Sequence, residues 1–301
     1  MTLNRHHNPE LIRNGLFARC KFFWGAGLSV KVLVFILGVV VVVAPIDGKY
    51  IAIIGLILAV ASESLMWLSD RWKGAAHGLH RKLDFENSFG WFISESELMD
   101  YLARYPGDTD ELVGKSTGSY FASDESPGPK RAVENLRESA WWSMHLAESM
   151  FWRTVTVIVG IVVGCVMLLN ASVTNLAQPQ PATTTIPSAA QQPIETKSGA
   201  SSQTVKIVTS AILFIFSYGL LKFATGYYSF STKSKQVKES AESLIKSGQI
   251  DEIQAIKLWQ DYHLAREAAP IIPTWIWKHR EKRLNALWNC YVKDQGKKQI
   301  S

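Results

Sequence analysis

Four long apolar runs constrain the fold of this 301-residue chain more than any other feature. They fall at about 22–46, 50–69, 153–169 and 205–225, and each is close to the roughly 20 residues that a helix needs to cross a bilayer. The tight turn at Pro45–Lys49 joins the first two runs. The 11 tryptophans suit a chain whose aromatic rings lie at membrane interfaces. The sequence therefore predicts an all-α integral membrane protein with two transmembrane helical hairpins, four spans in all.

The basic residues predict how these spans are oriented. Of the 32 Lys and Arg residues, 29 fall in 1–31, 70–153 and 219–301, and only 3 fall elsewhere. Because Lys and Arg accumulate on the cytoplasmic side of a membrane, both termini and the middle segment are expected to be cytoplasmic. The net charge of +6 is explained by topology and lipid contact, so it does not by itself indicate nucleic-acid binding.

This orientation divides the chain into five segments. The cytoplasmic segments are 1–21, 70–152 and 226–301, and the two hairpins are 22–69 and 153–225. The outer loop of the second hairpin, 170–204, is rich in Pro, Ser, Thr, Gln and Ala, which predicts disorder because such a composition cannot bury a core. Short helices are predicted at Glu95–Arg104, 233–247, 251–268 and Thr274–Val292. The last of these either lies on anionic lipid or packs on neighbouring helices.

The stretch before the third run predicts the most informative helix. Pro129 follows a Ser-Pro-Gly turn, and proline suits the first position of a helix. One face is apolar (Val133, Leu136, Ala140, Met144, Ala147 and Phe151), and the opposite face carries Glu134, Glu138, Trp141, His145, Glu148 and Trp152. Lys130 and Arg131 lie in the first turn, where free N–H groups and cations together favour an anion. They form either an anion site or a solvated pair, with Lys130 held by Glu134.

Motifs of enzymes and metal proteins are absent from the sequence. There is no phosphate-binding Walker loop, nucleophile elbow, zinc-protease motif or dinucleotide fingerprint. His145 and its neighbouring glutamates lack the second Glu-x-x-His pair of a di-iron site. The cysteines, Cys20, Cys165 and Cys290, are scattered, so neither a disulfide framework nor a zinc site is supported. The sequence predicts a protein that is not an enzyme and holds no cofactor or metal.

Three residues inside the spans are candidates for packing or for a pore. Gly160 and Gly164 are four apart and would let two helices approach closely, although glycine is common in membrane helices. Glu63 lies near the inner end of the second span, where it lines a pore or reaches the headgroup layer. Four spans pack into a solid bundle, so an aqueous path requires several copies. A homo-oligomer is therefore expected.

The central stretch also resembles a known family. It contains Tyr120 and Ser123, then Gly128-Pro129-Lys130-Arg131, then Glu134-Asn135-Leu136-Arg137-Glu138-Ser139-Ala140-Trp141-Trp142, and then His145-Leu146. Leu16-Phe17-Ala18-Arg19, Leu83-Asp84, Gly90-Trp91 and the stretch Ala269–Trp275 extend the likeness over most of the chain. These motifs resemble the four-span pore-forming effectors of bacterial anti-phage (CBASS) systems, which accompany cyclic-oligonucleotide synthases. The long outer loop, and Thr274 where an acidic residue is expected after Pro273, depart from that pattern.

The resemblance implies a function. A cyclic di- or trinucleotide, made by a synthase encoded nearby, binds the cytosolic part of an inner-membrane effector. The spans then rearrange or assemble, the membrane leaks, and the infected cell dies before phage mature. The candidate ligand-binding residues are Tyr120, Ser123, Lys130, Arg131, Arg137, Trp141 and Trp142, with cations for phosphates and rings for bases. The alternative is a membrane scaffold or channel subunit with a cytoplasmic docking region.

Overall fold

The computed structural model describes residues 8–43, 48–105, 121, 123–177, 208 and 219–298. Within these residues the chain forms helices and no strand, so the all-α prediction is confirmed. We number the helices in chain order: α1 Pro9–Val43, α2 Gly48–Phe89, α3 Glu95–Arg104, α4 Pro129–Ala177, α5 Leu220–Ser247, α6 Glu252–Ala268 and α7 Thr274–Lys298.

Three of these helices are long and apolar enough to cross a membrane. The helical stretches that contain a sufficiently apolar window are Pro9–Gly38 of α1, Ile53–Phe89 of α2 and Pro129–Met167 of α4, and each is longer than the window itself. Most of the fourth predicted span, 205–225, lies outside the described residues.

The chain divides into two compact units. The first, which we call the helical unit, comprises Met1–Gly27, Ser64–Trp152 and Lys222–Ser301. The second, the apolar unit, comprises Leu28–Glu63 and Arg153–Leu221. The division follows the hydropathy, because the apolar unit contains most of the residues in the runs that the sequence assigns to the membrane.

Local signals set several helix ends. Ser94 caps α3: its hydroxyl accepts the Glu97 N–H at 3.3 Å, and the Glu97 carboxylate accepts the Ser94 N–H at 3.3 Å. Asp251 caps α6 by accepting the Gln254 N–H at 3.3 Å. Gly248 follows α5 with φ of +69°, a conformation that glycine adopts at little cost. The predicted starts at Glu95 and Pro129 are confirmed.

The predicted apolar face of α4 is largely buried. Val133, Leu136, Ala140 and Ala147 have no exposed area, and they pack with residues of α5 and α6 such as Trp259. Trp141 differs from the prediction, which placed it on the polar face. It is only 5% exposed, and its ring lies 5.2 Å from that of Trp288 on α7. Helix α4 is therefore covered on two sides within the helical unit, which a single apolar stripe does not reveal.

The first turns of α1 belong to a buried core. Ile12 and Leu16 are fully buried against Leu79 of α2 and Leu98 of α3. The Ser69 hydroxyl donates to the Cys20 carbonyl at 2.9 Å, which joins α1 and α2 further along.

The last helix packs on its neighbours. Ile276, Leu284 and Trp288 are buried with residues of α4 and α5, including Tyr227. Trp275 remains 57% exposed on another side of α7. Of the two alternatives for this helix, packing therefore accounts for its buried face.

Among the side chains that the structure describes in the apolar unit, most of the large ones are exposed. Leu56 and Ile57 are 67% and 62% exposed, and Val157 is 51% exposed, as expected for helices whose partner is lipid. The ammonium of Lys31 lies 2.8 Å from the Glu63 carboxylate. Side chains built at Gly160 and Gly164 would meet nothing within 4 Å among the described atoms.

Helix α4 also continues beyond the predicted end of the third span at Leu169. It remains helical to Ala177, because nothing before Pro179 breaks the helix. Residues 170–177 are thus helical, and the rest of the predicted outer loop, 178–204, lies outside the described residues.

Candidate ligand-binding site

A cavity of about 510 Å3 lies among the helices of the helical unit. This volume falls within the range of roughly 300–1,000 Å3 that is typical of small-molecule sites. Its polar lining includes four cations, two carboxylates and two imidazoles: Arg13, Lys21, Lys73, Arg266, Glu138, Glu281, His77 and His80. Its aromatic lining is Phe17, Phe121, Trp142, Phe230, Tyr262 and Trp277.

Helical spacing brings these residues to the cavity. On α1 the contributors Arg13, Phe17 and Lys21 recur every four residues, and on α2 Lys73 and His77 have the same spacing. Residues four apart share one face of a helix, so each helix presents a continuous strip.

The cationic wall of the cavity is built around His80. The Arg13 Nη1 atom lies 3.3 Å from His80 Nδ1, and the Arg266 Nη1 atom lies 2.5 Å from His80 Nε2. The Asp84 carboxylate lies 3.3 Å from His80 Nε2 and 3.9 Å from Arg266 Nη1. His263 Nε2 lies 3.7 Å from the same carboxylate oxygen. Two guanidinium groups thus converge on one imidazole, and one of them, that of Arg266, also lies near the buried Asp84 carboxylate.

The side chains of His80, Asp84 and His263 lie outside the apolar run that ends near Ser69. Burial is the main influence on their protonation. It raises the pKa of Asp84 to about 7, although Arg266 and Arg13 oppose the shift. Burial, with Arg266 and Arg13, holds the pKa of His80 well below its ordinary value. It also lowers the pKa of His263 to about 3, with Arg266 adding to the effect. Both imidazoles are therefore neutral at pH 7, so the positive charge of this wall comes from the two arginines.

The two lysines of the lining bind neutral partners. The Lys21 ammonium donates to the Thr274 hydroxyl at 2.9 Å, and the Lys73 ammonium donates to the Ala269 carbonyl at 2.7 Å. A hydroxyl or carbonyl oxygen orients an ammonium group without cancelling its charge.

Two tryptophans on different helices form an aromatic part of the lining. The rings of Trp142 on α4 and Trp277 on α7 lie 4.8 Å apart at an angle of 34°, and both are half-buried. Tyr262 on α6 is buried and lines the same cavity. Its hydroxyl lies 2.7 Å from the Ser143 hydroxyl and 3.1 Å from the Ser139 carbonyl. These contacts fix α6 against α4 at the cavity wall.

Among the seven ligand-binding residues predicted from the sequence, Trp142 lines the cavity. Lys130 is exposed and forms an ion pair with Glu125 instead of the expected Glu134. Arg131 donates to the Glu125 carbonyl at 3.1 Å, and Ser123 donates to the Glu134 carboxylate at 2.5 Å. The start of α4 is thus a network of its own, outside the lining of the cavity.

The predicted ligand-binding residues that remain are Arg137, Trp141 and Tyr120. The Arg137 guanidinium lies 5.7 Å from the centre of the Trp288 ring, and Trp141 is buried against the same ring. Tyr120 lies outside the described residues. His145 Nδ1 lies 4.0 Å from the Glu148 carboxylate, and the described ranges contain no group of three or more metal-ligating side chains.

Sequence reasoning missed most of the cavity. Arg13 on α1, Lys73 on α2 and Arg266 on α6 come from distant segments, so no local motif contains them. A signal did exist in the placement of Asp84 four residues after His80, which puts a carboxylate beside an imidazole on one helix face. The partner helix that supplies Arg266 cannot be identified from that spacing.

Comparisons of the chain with protein-family models, with curated proteins and with solved structures find no significant match.

Proposed function

We propose that this protein is a membrane effector of a bacterial anti-phage signalling system of the CBASS type. A cyclic oligonucleotide binds its helical unit, the protein oligomerises, and the inner membrane of the infected cell is disrupted. The observation that carries this proposal is the cavity of about 510 Å3, which combines four cations with six aromatic rings. The resemblance of the central stretch to such effectors supports the same class of ligand.

The chemistry of the lining matches the parts of a cyclic oligonucleotide. Its phosphodiesters are anions, and arginine binds phosphate through charge-assisted, often paired hydrogen bonds. Its bases are flat, and stacking on aromatic side chains contributes about 1–3 kcal/mol per base. The carboxylates of Glu138 and Glu281 add acceptors for the N–H groups of bases.

The connectivity of the helices supports a link between binding and the membrane. Helices α1, α2 and α4 each contribute residues to the cavity, and each is apolar enough to span a bilayer. Helix α4 is unbroken from Pro129 to Ala177, so it contains both Trp142 and the third apolar run. A ligand that favours one arrangement of these helices shifts the population of the whole protein toward it.

The finer topology is part of the proposal. It includes four spans, two hairpins, cytoplasmic termini and location in the inner membrane, and the distribution of Lys and Arg supports it. The action is stoichiometric rather than enzymatic, with membrane lipids and further copies of the chain as its partners.

The experiment is a leakage assay with the full-length protein in liposomes that contain a quenched dye. A panel of cyclic di- and trinucleotides is added, with linear dinucleotides and mononucleotides as controls. We expect release of dye with at least one cyclic compound and none with its linear form. Release without any ligand, or no release with the whole panel, contradicts the proposal.

A second candidate function is a membrane scaffold or channel subunit with a docking region. One observation favours it: Ile253 and Leu264, three helical turns apart on α6, are 74% and 63% exposed. Ile253→Ser with Leu264→Ser is expected to abolish capture of a partner if this face docks a protein. The same double variant leaves ligand-dependent leakage intact if the effector function is correct.

A further inference from the structure

The two sides of helix α7 differ in composition. Its buried side, which includes Ile276, Leu284 and Trp288, packs with residues of α4 and α5. Its outer side begins with an indole and continues with cations at spacings of three and four, and residues so spaced share one face of a helix. These exposed residues, which we call the basic stripe, are Trp275, Lys278, Lys282 and the adjacent Arg283.

Acidic side chains do not balance the basic stripe. Between Thr274 and Val292 the sequence contains one acidic residue, Glu281, and it lines the cavity. None of the three cations of the stripe is ion-paired with another residue that the structure describes. Glu148, on the neighbouring helix α4, lies 4.0 Å from His145. The stripe therefore presents three positive charges outward.

The start of α7 lies beside residues that border the apolar runs. The Lys21 ammonium, directly before the first run, donates to the Thr274 hydroxyl at 2.9 Å. Phe151, two residues before the third run, and Phe223, near the end of the fourth, both pack against the buried cluster that contains Ile276. In the proposed topology, Thr274 therefore marks the level at which these runs leave the bilayer.

Contacts with α4 show the direction in which α7 continues from this level. The Arg280 guanidinium donates to the His145 carbonyl at 3.3 Å, and further along α7 the Trp288 ring lies 5.2 Å from that of Trp141. As α7 advances, its partners on α4 thus lie progressively further from the third run. Helix α7 therefore points away from the bilayer.

This direction places the cations of the stripe at different depths. A helix rises about 1.5 Å per residue, so Lys278, Lys282 and Arg283 lie about 6, 12 and 14 Å beyond Thr274 along the helix. Lys278 is the cation closest to the bilayer, and Trp275 lies between it and Thr274.

Exposed indoles mark the same level on other helices. Trp275 is 57% exposed, Trp67 on α2 is 62% exposed, and Trp152 on α4 is 60% exposed. Ser69, two residues after Trp67, donates to the carbonyl of Cys20, the neighbour of Lys21. Tryptophan is enriched where helices meet lipid headgroups, because its ring is apolar and its N–H is polar.

We propose that the basic stripe of α7 binds the headgroups of anionic phospholipids, with Trp275 nearest to the bilayer and Lys278 as the main cation. The attraction between a basic segment and an anionic leaflet falls off within the screening length, about 8 Å at physiological ionic strength. Lys278 lies within that distance of Thr274, whereas Lys282 and Arg283 lie beyond it. Their contributions therefore fall in the order Lys278, Lys282, Arg283.

This inference goes beyond the proposed function, because it assigns a class of lipid to α7 and requires no cyclic nucleotide. It also distinguishes two placements of the helix. A helix that lies flat on the bilayer would use all three cations equally, whereas one that points away from the bilayer uses mainly the first.

The experiment measures which lipid contacts α7 in the full-length protein. The protein is reconstituted in liposomes with equal amounts of phosphatidylglycerol and phosphatidylcholine, one of which carries a photoactivatable headgroup. Crosslinks to α7 are counted by mass spectrometry after digestion with a protease that does not cleave after lysine or arginine, so that all variants give the same peptides.

Wild-type α7 is expected to crosslink to phosphatidylglycerol about tenfold more than to phosphatidylcholine. Lys278→Gln is expected to lower this ratio about fivefold and Lys282→Gln about twofold, with a smaller effect of Arg283→Gln. High salt should lower the wild-type ratio, because it screens the headgroup charges.

Matched controls separate the stripe from net charge and from folding. Lys246→Gln removes an exposed cation near the end of α5 and should leave the ratio unchanged. Lys278→Arg keeps the charge and should preserve the ratio. Each variant is also compared with the wild type by its Tm in detergent, and a lowered ratio at an unchanged Tm supports the inference.

Equal crosslinking of the two lipids to wild-type α7, an unchanged ratio in Lys278→Gln, or equal losses in the three stripe variants overturns the inference. If the stripe instead binds an acidic protein or a second copy of the chain, the ratio is unchanged in Lys278→Gln. Because no cyclic nucleotide is added, these outcomes are independent of ligand-dependent leakage, which alone decides the proposed function.

Discussion

The indole N–H of Trp259 donates a hydrogen bond of 2.8 Å to the carbonyl of Ala132, and so joins α6 to the first turns of α4. Trp259 has no exposed area, and its ring lies 5.0 Å from that of His263, which is stacked on it. Trp259 and Ala132 both belong to one buried cluster of the helical unit. Their hydrogen bond holds together two of the helices that line the cavity.

Trp259→Phe is expected to destabilise the helical unit by about 1–3 kcal/mol, because the hydrogen bond is lost and a smaller ring leaves a void. Chemical or thermal unfolding of the full-length protein in detergent measures the change. Trp275→Phe, at a position that is 57% exposed, is the matched control and should cost less than about 0.5 kcal/mol. Equal effects of the two substitutions would show that the buried contact contributes little.

Gly226 on α5 allows a close approach of the Pro270 ring. A Cβ at this glycine would lie 2.8 Å from both Cδ and Cγ of Pro270, which is closer than such atoms can pack. Gly226→Ala is therefore expected to lower stability by about 1–3 kcal/mol, despite the better helix propensity of alanine. Gly74→Ala on α2, where nothing lies within 4 Å, should instead raise stability by up to about 1 kcal/mol. Unfolding temperatures of the two variants in parallel test this contrast.

Asp84 makes stability depend on pH. Its pKa is raised to about 7 in the folded protein from an ordinary 3.8, so folding favours the protonated form. The stability that this provides is present below about pH 4 and is lost as pH rises to about 7. Asp84→Asn stays neutral, so relative to it the wild type is expected to lose on the order of 2 kcal/mol between pH 5 and pH 8. Asp100→Asn, at an exposed position on α3, supplies the surface control. A constant difference between wild type and Asp84→Asn at the two pH values would refute this.

His263 produces a pH dependence of opposite sign. Its pKa is lowered to about 3 by burial and by Arg266, so folding favours the neutral ring. The associated stability is complete above about pH 6.5 and is lost as pH falls toward 3. His263→Phe keeps a ring on Trp259 and cannot ionise. Between pH 7 and pH 5 the wild type should lose about 2 kcal/mol more than this variant. Thermal unfolding at the two pH values, with His279→Phe on α7 as the exposed control, decides the matter.

Gly160 and Gly164 are expected to act between copies of the chain. Both lie on one face of α4, and built side chains there meet nothing within 4 Å among the described residues. Gly160→Leu with Gly164→Leu should reduce self-association in liposomes at least fivefold, as measured by energy transfer between labelled chains, because the bulky side chains prevent close helix approach. Val162→Leu, on the opposite side of the helix, is the matched control. Self-association that survives the glycine substitutions would place the interface elsewhere.

The sequence by itself determined the features that depend only on neighbouring residues along one helix. The apolar runs, the starts at Glu95 and Pro129 and the end of α5 at Gly248 follow from spacing, capping and hydropathy, which act over a few residues. The buried face of α4 at Val133 and Leu136 was predictable for the same reason.

The tertiary structure decided which of these helical faces meet. Arg13, His80 and Arg266 belong to three helices, and nothing in the local pattern of one identifies the others as partners. Trp141 shows the same limit, because its burial depends on α7 covering a side of α4 that periodicity assigned to solvent. Periodicity records one face of a helix at a time, whereas a cavity is the space left between several faces after they pack.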